Sequence, residues 1–329
     1  MTVLVTGATG LLGSHLIDLL VERGQRPRAL VQPGELATGL ARSQVDVRFG
    51  DLRDSEVPKS VMEDVEIVLH CAARTGPWGP ADEYQSTNVD GLETLVQAAR
   101  SAAVRRFVHI SSITVHGNDV RGVADESSPL RAEPNSYSRS KVEGERLLQR
   151  LIEDEGVPVT IVRPGWIYGP RDVASFARFA TMVRDGKMVI IGSGENHVPL
   201  IYVADVARGV LQAAEADDAL GRSYLLASDE SVTQRDYLFA IAGEIGVPPP
   251  TRRIPYPVAL MLGAGFEFGA RLVRRRQPPP VTRYGIKLLG GENRFSIARA
   301  RRELGFRPQV HLSEGVKRSM EWYRSAVAE

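Results

Sequence analysis

A single cysteine, Cys71, occurs among 329 residues. That excludes an intramolecular disulfide and a cysteine metal cluster and fits a reducing compartment, so the cytoplasm is the expected location and no metal is expected. Charge of one sign is also lacking: 41 Lys and Arg stand against 40 Asp and Glu. Nucleic acid is therefore not expected as a partner, because counterion release needs a concentrated basic surface. Clean apolar runs of about 20 residues, as a transmembrane helix requires, are missing too. The most apolar stretch, 255–273, contains three glycines, Glu267 and Arg271, and reads as a helix rather than a span. Arginines at 271, 274, 275 and 276 make its end basic. A solvated helix end before Gln277-Pro278-Pro279-Pro280 explains them, and so does a membrane surface. The opening Met1-Thr2-Val3-Leu4-Val5 lacks the cationic flank of a signal peptide and reads as a strand.

What is present is a hydrophobic content of 43%, enough for a substantial core. Short β-branched runs at Thr2–Thr6, Arg28–Val31, Val45–Phe49, Ile67–His70, Phe107–Ser111 and Val159–Val162 alternate with helical patterns at Gly13–Arg23, Asn88–Ala103 and Tyr137–Glu155. Such alternation predicts an α/β fold, a doubly wound parallel sheet with helices on both faces. After Arg163 come Gly/Pro-rich loops, then a helix at Ala204–Glu215 and a strand at Ser223–Leu226. The expected division is a dinucleotide-binding domain of residues 1–164 plus about 200–228. A smaller, mostly helical C-terminal substrate domain would take about 165–199 plus 229–329.

The first strand delivers Gly7-Ala8-Thr9-Gly10-Leu11-Leu12-Gly13 into a helix. Small residues let backbone N–H groups approach a pyrophosphate and the helix N-terminus adds a favourable dipole, so residues 7–13 are expected to hold a dinucleotide, as in a Rossmann fold. The second strand ends Arg28-Ala29-Leu30-Val31-Gln32-Pro33, with no acid at its tip to hold a ribose 2′-hydroxyl. Glu35, beyond a Pro-Gly turn, is a weak substitute, whereas Arg28 or Arg42 can approach a 2′-phosphate. Gln32 suits either cofactor, and the balance leans to NADP over NAD. Asp51-Leu52 is expected at the adenine edge or as a helix cap. Cys71-Ala72-Ala73 permits close backbone approach to the cofactor, with His70 and Cys71 in core roles.

Tyr137-Ser138-Arg139-Ser140-Lys141 places a phenol and an ammonium four residues apart, on one face of a helix that Asn135 or Ser136 can cap. A catalyst near pH 7 wants the phenol about three units below its ordinary value, about 4 kcal/mol, and Lys141 with an oxidised nicotinamide ring can supply part of that. Hydroxyls follow the fifth strand in Ser111-Ser112-Ile113-Thr114-Val115-His116-Gly117, where parallel sheets bind ligands.

With Asn88-Val89-Asp90-Gly91 and Arg163-Pro164-Gly165-Trp166-Ile167-Tyr168-Gly169-Pro170, the chain resembles the extended short-chain dehydrogenase/reductase superfamily over nearly its whole length. The resemblance implies an NAD(P)-dependent oxidoreductase with Ser112 as catalytic hydroxyl, Tyr137 as acid/base and Lys141 as its activator and ribose ligand. It also implies cofactor contacts from Asn88, Ser111, Pro164 and Gly165, and a homodimer through the helices at Asn88–Ala103 and Tyr137–Glu155. His116 stands where the superfamily commonly has tyrosine. Arg74-Thr75-Gly76-Pro77-Trp78-Gly79-Pro80 and the segments after Pro280 resemble the 3β-hydroxysteroid dehydrogenase-like group, which includes sterol-4-carboxylate dehydrogenases and reductases of 2-alkyl-3-oxo acids. That implies a small, largely apolar ketone or secondary alcohol, with Arg74, Trp78, Ser112, Thr114, Trp166 and His197 around it; a rigid turn with Trp78 packed beneath explains the Gly-Pro-Trp loop equally well. An NDP-sugar epimerase or dehydratase is the chief alternative, and a non-catalytic dinucleotide sensor the second. Against the sugar, Val198 stands where such enzymes carry the arginine that clamps a diphosphate, with only His197 beside it.

Overall fold

A computed structural model describes residues 2–40, 44–120 and 122–326. Arg42, one of the two arginines considered for a 2′-phosphate, lies outside them.

Seven strands form the central sheet: β1 (Thr2–Thr6), β2 (Arg28–Val31), β3 (Asp46–Phe49), β4 (Val65–His70), β5 (Arg106–Ile110), β6 (Val159–Pro164) and β7 (Ser223–Leu226). Their order is β7-β6-β5-β4-β1-β2-β3 and every pairing is parallel. The chain winds outward from β1 through β2 to β3, then returns to place β4 on the other side of β1. That reversal opens a crevice at the carboxyl ends of β1 and β4, the place where doubly wound sheets bind ligands.

Both sheet faces are covered, which is why the strands read as apolar runs. Alternate residues of one strand enter different clusters. Val3 and Val5 pack with Leu16 and Leu20 of helix α1 (Leu11–Glu22), whereas Leu4 joins Leu92 and Leu95 of α2 (Gly91–Ser101) and Leu148 of α3 (Ser136–Glu155). Val206 and Val210 of α4 (Val203–Glu215) complete the first face.

A third cluster lies apart from the sheet. It joins Phe176, Ile190 and Val198 to Tyr237 and Leu238 of α5 (Gln234–Ile245), Ile286 of α7 (Arg283–Gly290) and Met320 of α8 (Leu312–Ala326). Between α5 and α7 runs α6 (Tyr256–Leu272). Much of the later part of the chain packs into this cluster. Ile297, Ala300, Leu304 and Phe306 pack with the sheet and α4 instead. The segment therefore returns to the first core, and Phe306 meets α4 where Gly209 leaves room for its ring.

Candidate active site

The glycine loop is built for close backbone contact at the crevice. A Cβ at Gly7, whose φ is +64°, would stand 2.7 Å from the Ala72 nitrogen at the end of β4, and one at Gly13 would stand 2.1 Å from the Gly7 carbonyl oxygen. Gly10 N–H donates to that same oxygen at 3.0 Å. No side chain caps α1 at Gly10, so the first-turn N–H groups, including those of Leu11 and Leu12, remain for an anion. The cradle fits a dinucleotide pyrophosphate. Thr6 stitches the crevice from beneath, its hydroxyl pairing with His70 Nδ1 at 2.8 Å and accepting from Ala72 N–H at 3.1 Å. His70 is buried and held neutral, lowered to about 3 chiefly by burial; burial pushes the Cys71 thiol up to about 12. Neither is disposed towards proton transfer or nucleophilic attack, and Ala73 follows them out of the strand.

At the adenosine side the geometry departs from the sequence expectation. Arg28 is not free for a 2′-phosphate. It sits at the amino end of β2, where its guanidinium donates to Asp46 Oδ2 at 2.7 Å and to the Val61 and Glu63 carbonyls. A residue at the start of a parallel strand faces away from the ligand-binding edge. Glu35 instead reaches the glycine loop and accepts from the Thr9 hydroxyl at 2.5 Å. Asp51 accepts from Gln32 Nε2 at 3.0 Å and from Arg53, whose bonds hold its carboxyl well below the usual range. It is thus an anchored surface carboxylate beside Gln32. Leu52 is buried in the α2-side cluster.

The catalytic candidates converge at the start of α3. Asn135 caps the helix, its Oδ1 accepting from Ser138 N–H at 2.9 Å, and Ser138 Oγ donates to the Thr114 carbonyl at 3.1 Å. These bonds lock Tyr137 against the loop after β5. Ser112 Oγ accepts from Thr114 N–H and lies close enough to the Tyr137 phenol to lower it. Burial nevertheless dominates and pushes the phenol up to about 12, with Tyr84 adding to the rise. Lys141 does not lower it: Nζ donates to the Ile110 carbonyl at 2.7 Å. Burial brings the ammonium down to about 8, against the opposing charge of Glu145. The protein's own groups therefore hold the phenol neutral, unlike the acidified phenol expected from the spacing.

Behind them lies a network that helical spacing did not reveal. Glu145, one further turn along α3, binds Arg163 of β6 through Nη2 at 2.6 Å, with both side chains buried, and accepts from Ser111 Oγ at 2.5 Å. His116 completes it through Arg163 Nη1 at 3.3 Å. Ser111 is thereby a support for Glu145. Asn88 lies on a π-helical turn, Ser86–Asp90. Its amide donates to Ser140 Oγ at 2.8 Å and to the Arg74 carbonyl, while Oδ1 accepts from Arg74 N–H. It ties the loop after β4 to α3. Gly165 follows Pro164 where a Cβ would meet the Pro199 carbonyl at 2.3 Å.

The substrate candidates divide. Thr114 is buried beside Ser112. Arg74 is engaged by Glu83 at 2.7 Å and lies over the Tyr84 ring. Trp78 Nε1 donates to the Arg275 carbonyl at 2.9 Å, and Arg271 lies over its ring. Trp166 packs edge-on to Phe179 and Tyr237, and His197 pairs with Glu292 at 2.7 Å, both in the second part of the chain. Val198, the residue at the position compared with the sugar enzymes' arginine, is buried in the apolar cluster. Tyr284 of α7 was not anticipated as a site residue. Its ring is edge-on to Tyr137 at 6.5 Å between centroids. Only the tertiary fold brings them together.

A parallel doubly wound sheet, a pyrophosphate cradle at its switch point and a Ser/Tyr/Lys cluster beside it define a dinucleotide-dependent enzyme of the extended short-chain dehydrogenase/reductase type. Residues 3–227 match the NAD dependent epimerase/dehydratase family, and the chain belongs to it. Among curated relatives, a 2-alkyl-3-oxoalkanoate reductase of Shewanella oneidensis is 31% identical, covering 95% of this chain and 84% of its own. A 3 beta-hydroxysteroid dehydrogenase/Delta 5→4-isomerase of Mycobacterium tuberculosis is 28% identical over 98% of this chain and 90% of its own. The crystal structure of UDP-glucuronic acid 4-epimerase from Bacillus cereus in complex with NAD superposes with a TM-score of 0.80 at 21% identity, over 99% of both chains, a likeness of fold.

Proposed function

We propose that this enzyme interconverts a secondary alcohol and a ketone on a small, largely apolar substrate of the 3-oxoacyl or 3β-hydroxysteroid type. The observation that carries the reading is the convergence of Ser112, Tyr137 and Lys141 at the start of α3, the Ser112 hydroxyl on the Tyr137 phenol and Lys141 beneath them on the Ile110 carbonyl. A bound dinucleotide, held by Gly7, Gly10, Gly13 and their neighbours, supplies the hydride acceptor or donor. Ser112 orients the reacting oxygen and Tyr137 passes the proton, the roles their placement supports. Lys141 holds the ribose side and carries positive charge into the site. Its depressed value, about 8, leaves it charged at neutral pH.

The sequence leaned to NADP. With Arg28 spent at the far end of β2 and Glu35 on Thr9, the carboxylate in reach favours an unmodified ribose, and we read NAD(H) as the better-fitting cofactor. A cytoplasmic homodimer paired through α2 and α3 completes the proposal; the lone cysteine and the superfamily resemblance support it.

Absorbance at 340 nm with NADH or NADPH and a panel of 2-alkyl-3-oxo acids, steroid ketones and nucleotide sugars tests the reading. Turnover with an apolar ketone is expected. Turnover with a nucleotide sugar alone, or cofactor binding without any turnover, overturns it.

A further inference from the structure

Helix α6 is turned inside out relative to an ordinary surface helix. Its buried residues are Ala259, Gly263, Glu267 and Ala270, spaced four, four and three apart. The large apolar side chains face outward: Met261 is 73% exposed, Phe268 71% and Leu272 75%, with Val258, Leu262, Phe266 and Val273 also exposed. The inner face has to be small because the helix lies hard against α7, where a Cβ at Gly263 would meet Ile286 Cδ1 at 2.7 Å. Glu267 is the only acid between residues 255 and 276, and it is buried and bound to Arg283. The exposed surface thus joins hydrocarbon to the exposed Arg271, Arg274, Arg275 and Arg276, and the segment's one acid, Glu267, is buried.

Such a surface on a solvent-facing helix needs an occupant. Apolar side chains beside an exposed arginine cluster complement a bilayer interface with anionic headgroups, where hydrocarbon enters the acyl boundary and guanidinium groups meet phosphate. Among the described residues no helix is long and apolar enough to cross a membrane, so α6 would lie on the surface. Its position gives the contact a purpose. The Arg275 carbonyl holds Trp78 of the loop after β4, and Glu267 holds Arg283, next to Tyr284, whose ring meets Tyr137. Two contacts separate the apolar helix from the catalytic phenol.

We propose that α6 docks this enzyme on an anionic membrane surface, so that a lipid-dissolved ketone reaches the site from the bilayer. The use of the contact rests on the apolar-substrate reading; the binding itself does not. The test is co-sedimentation of the full chain with vesicles of phosphatidylcholine containing about one-third phosphatidylglycerol, against phosphatidylcholine alone. Binding to the anionic vesicles is expected, at least tenfold weaker in Met261→Ser/Phe268→Ser/Leu272→Ser and weakened in Arg274→Gln/Arg275→Gln/Arg276→Gln. NADH binding and melting temperature, unchanged in both variants, show that they fold. Absence of vesicle binding at low salt, or equal binding by the triple serine variant, overturns the proposal. So does light scattering that finds the wild type oligomeric and the serine variant monomeric, since a second copy then covers the face. Vesicle binding without any ketone turnover would sink the substrate reading and leave the docking intact.

Discussion

At Lys141 the role proposed above opposes stability at a single residue. Its ammonium is buried, and the fall from an ordinary 10.5 to about 8 corresponds to about 3 kcal/mol against the charged form. Between those values the unfolded chain binds more protons than the folded one, so this group makes stability rise with pH from about 8 to 10.5 and contributes no slope below. Lys141→Met removes the buried charge at the cost of one bond to Ile110, and is expected to stabilise the protein by about 1–2 kcal/mol at pH 7. That advantage should shrink above pH 8, as thermal melts at pH 7 and 9.5 would show; a variant less stable at both contradicts it. In the reading proposed above, Glu35 sets cofactor choice, its carboxylate on the Thr9 hydroxyl opposing a 2′-phosphate. Removing its carboxylate in Glu35→Ala should improve NADPH relative to NADH affinity by about tenfold, or about 1.4 kcal/mol, in fluorescence titrations. An unchanged ratio would place the discrimination elsewhere.

At the scale of elements, the period of the pattern located the strands and helices to within a few residues, because alternate burial of Val3, Leu4 and Val5 and the stripe of Leu16 and Leu20 are local consequences of backbone geometry. The glycine loop is legible as a motif between β1 and α1, and the four-residue spacing of Tyr137 and Lys141 as a local consequence of helix geometry. Periodicity reports which way a side chain points but not what it meets. The Glu145–Arg163 pair joins α3 to β6 across 18 residues of sequence, and nothing in either segment announces it. Arg28 read as a cofactor cation because its strand was visible, while its neighbours Asp46, Val61 and Glu63 were not. The Glu145 pair makes a stability prediction at this level. Glu145→Ala strands a buried guanidinium and frees α3 from β6, so it should cost about 3–5 kcal/mol, read as a lower denaturant midpoint at constant slope. A loss below about 1 kcal/mol would mean that water or another acid takes the place of Glu145.

Across the whole molecule the candidate site draws on both cores. The sheet supplies the cradle and the start of α3; α7 from the second core brings Tyr284 against Tyr137. The chain then returns at Ile297–Phe306 to seal β7, which fastens the two cores at a second place. That return was invisible in the sequence, where the segment looks like any short basic helix. The proposed pairing of α2 and α3 belongs to this scale as well. Light scattering at micromolar concentration should give twice the mass of the chain, and a monomeric mass rules the pairing out.

The protein alone, Lys141 included, holds the Tyr137 phenol near 12, so the proposed acid/base role of Tyr137 requires that the positive charge of the oxidised cofactor, and Lys141 once drawn from the Ile110 carbonyl towards the filled site, bring it down. The pH dependence of alcohol oxidation in the wild type, Tyr137→Phe and Lys141→Met reads this directly. An ionisation well below 12 in the wild type, shifted upward in Lys141→Met, with turnover reduced at least about a thousandfold in Tyr137→Phe while cofactor affinity holds, is the expected result. Normal turnover in Tyr137→Phe, or the same ionisation in Lys141→Met as in the wild type, would contradict it.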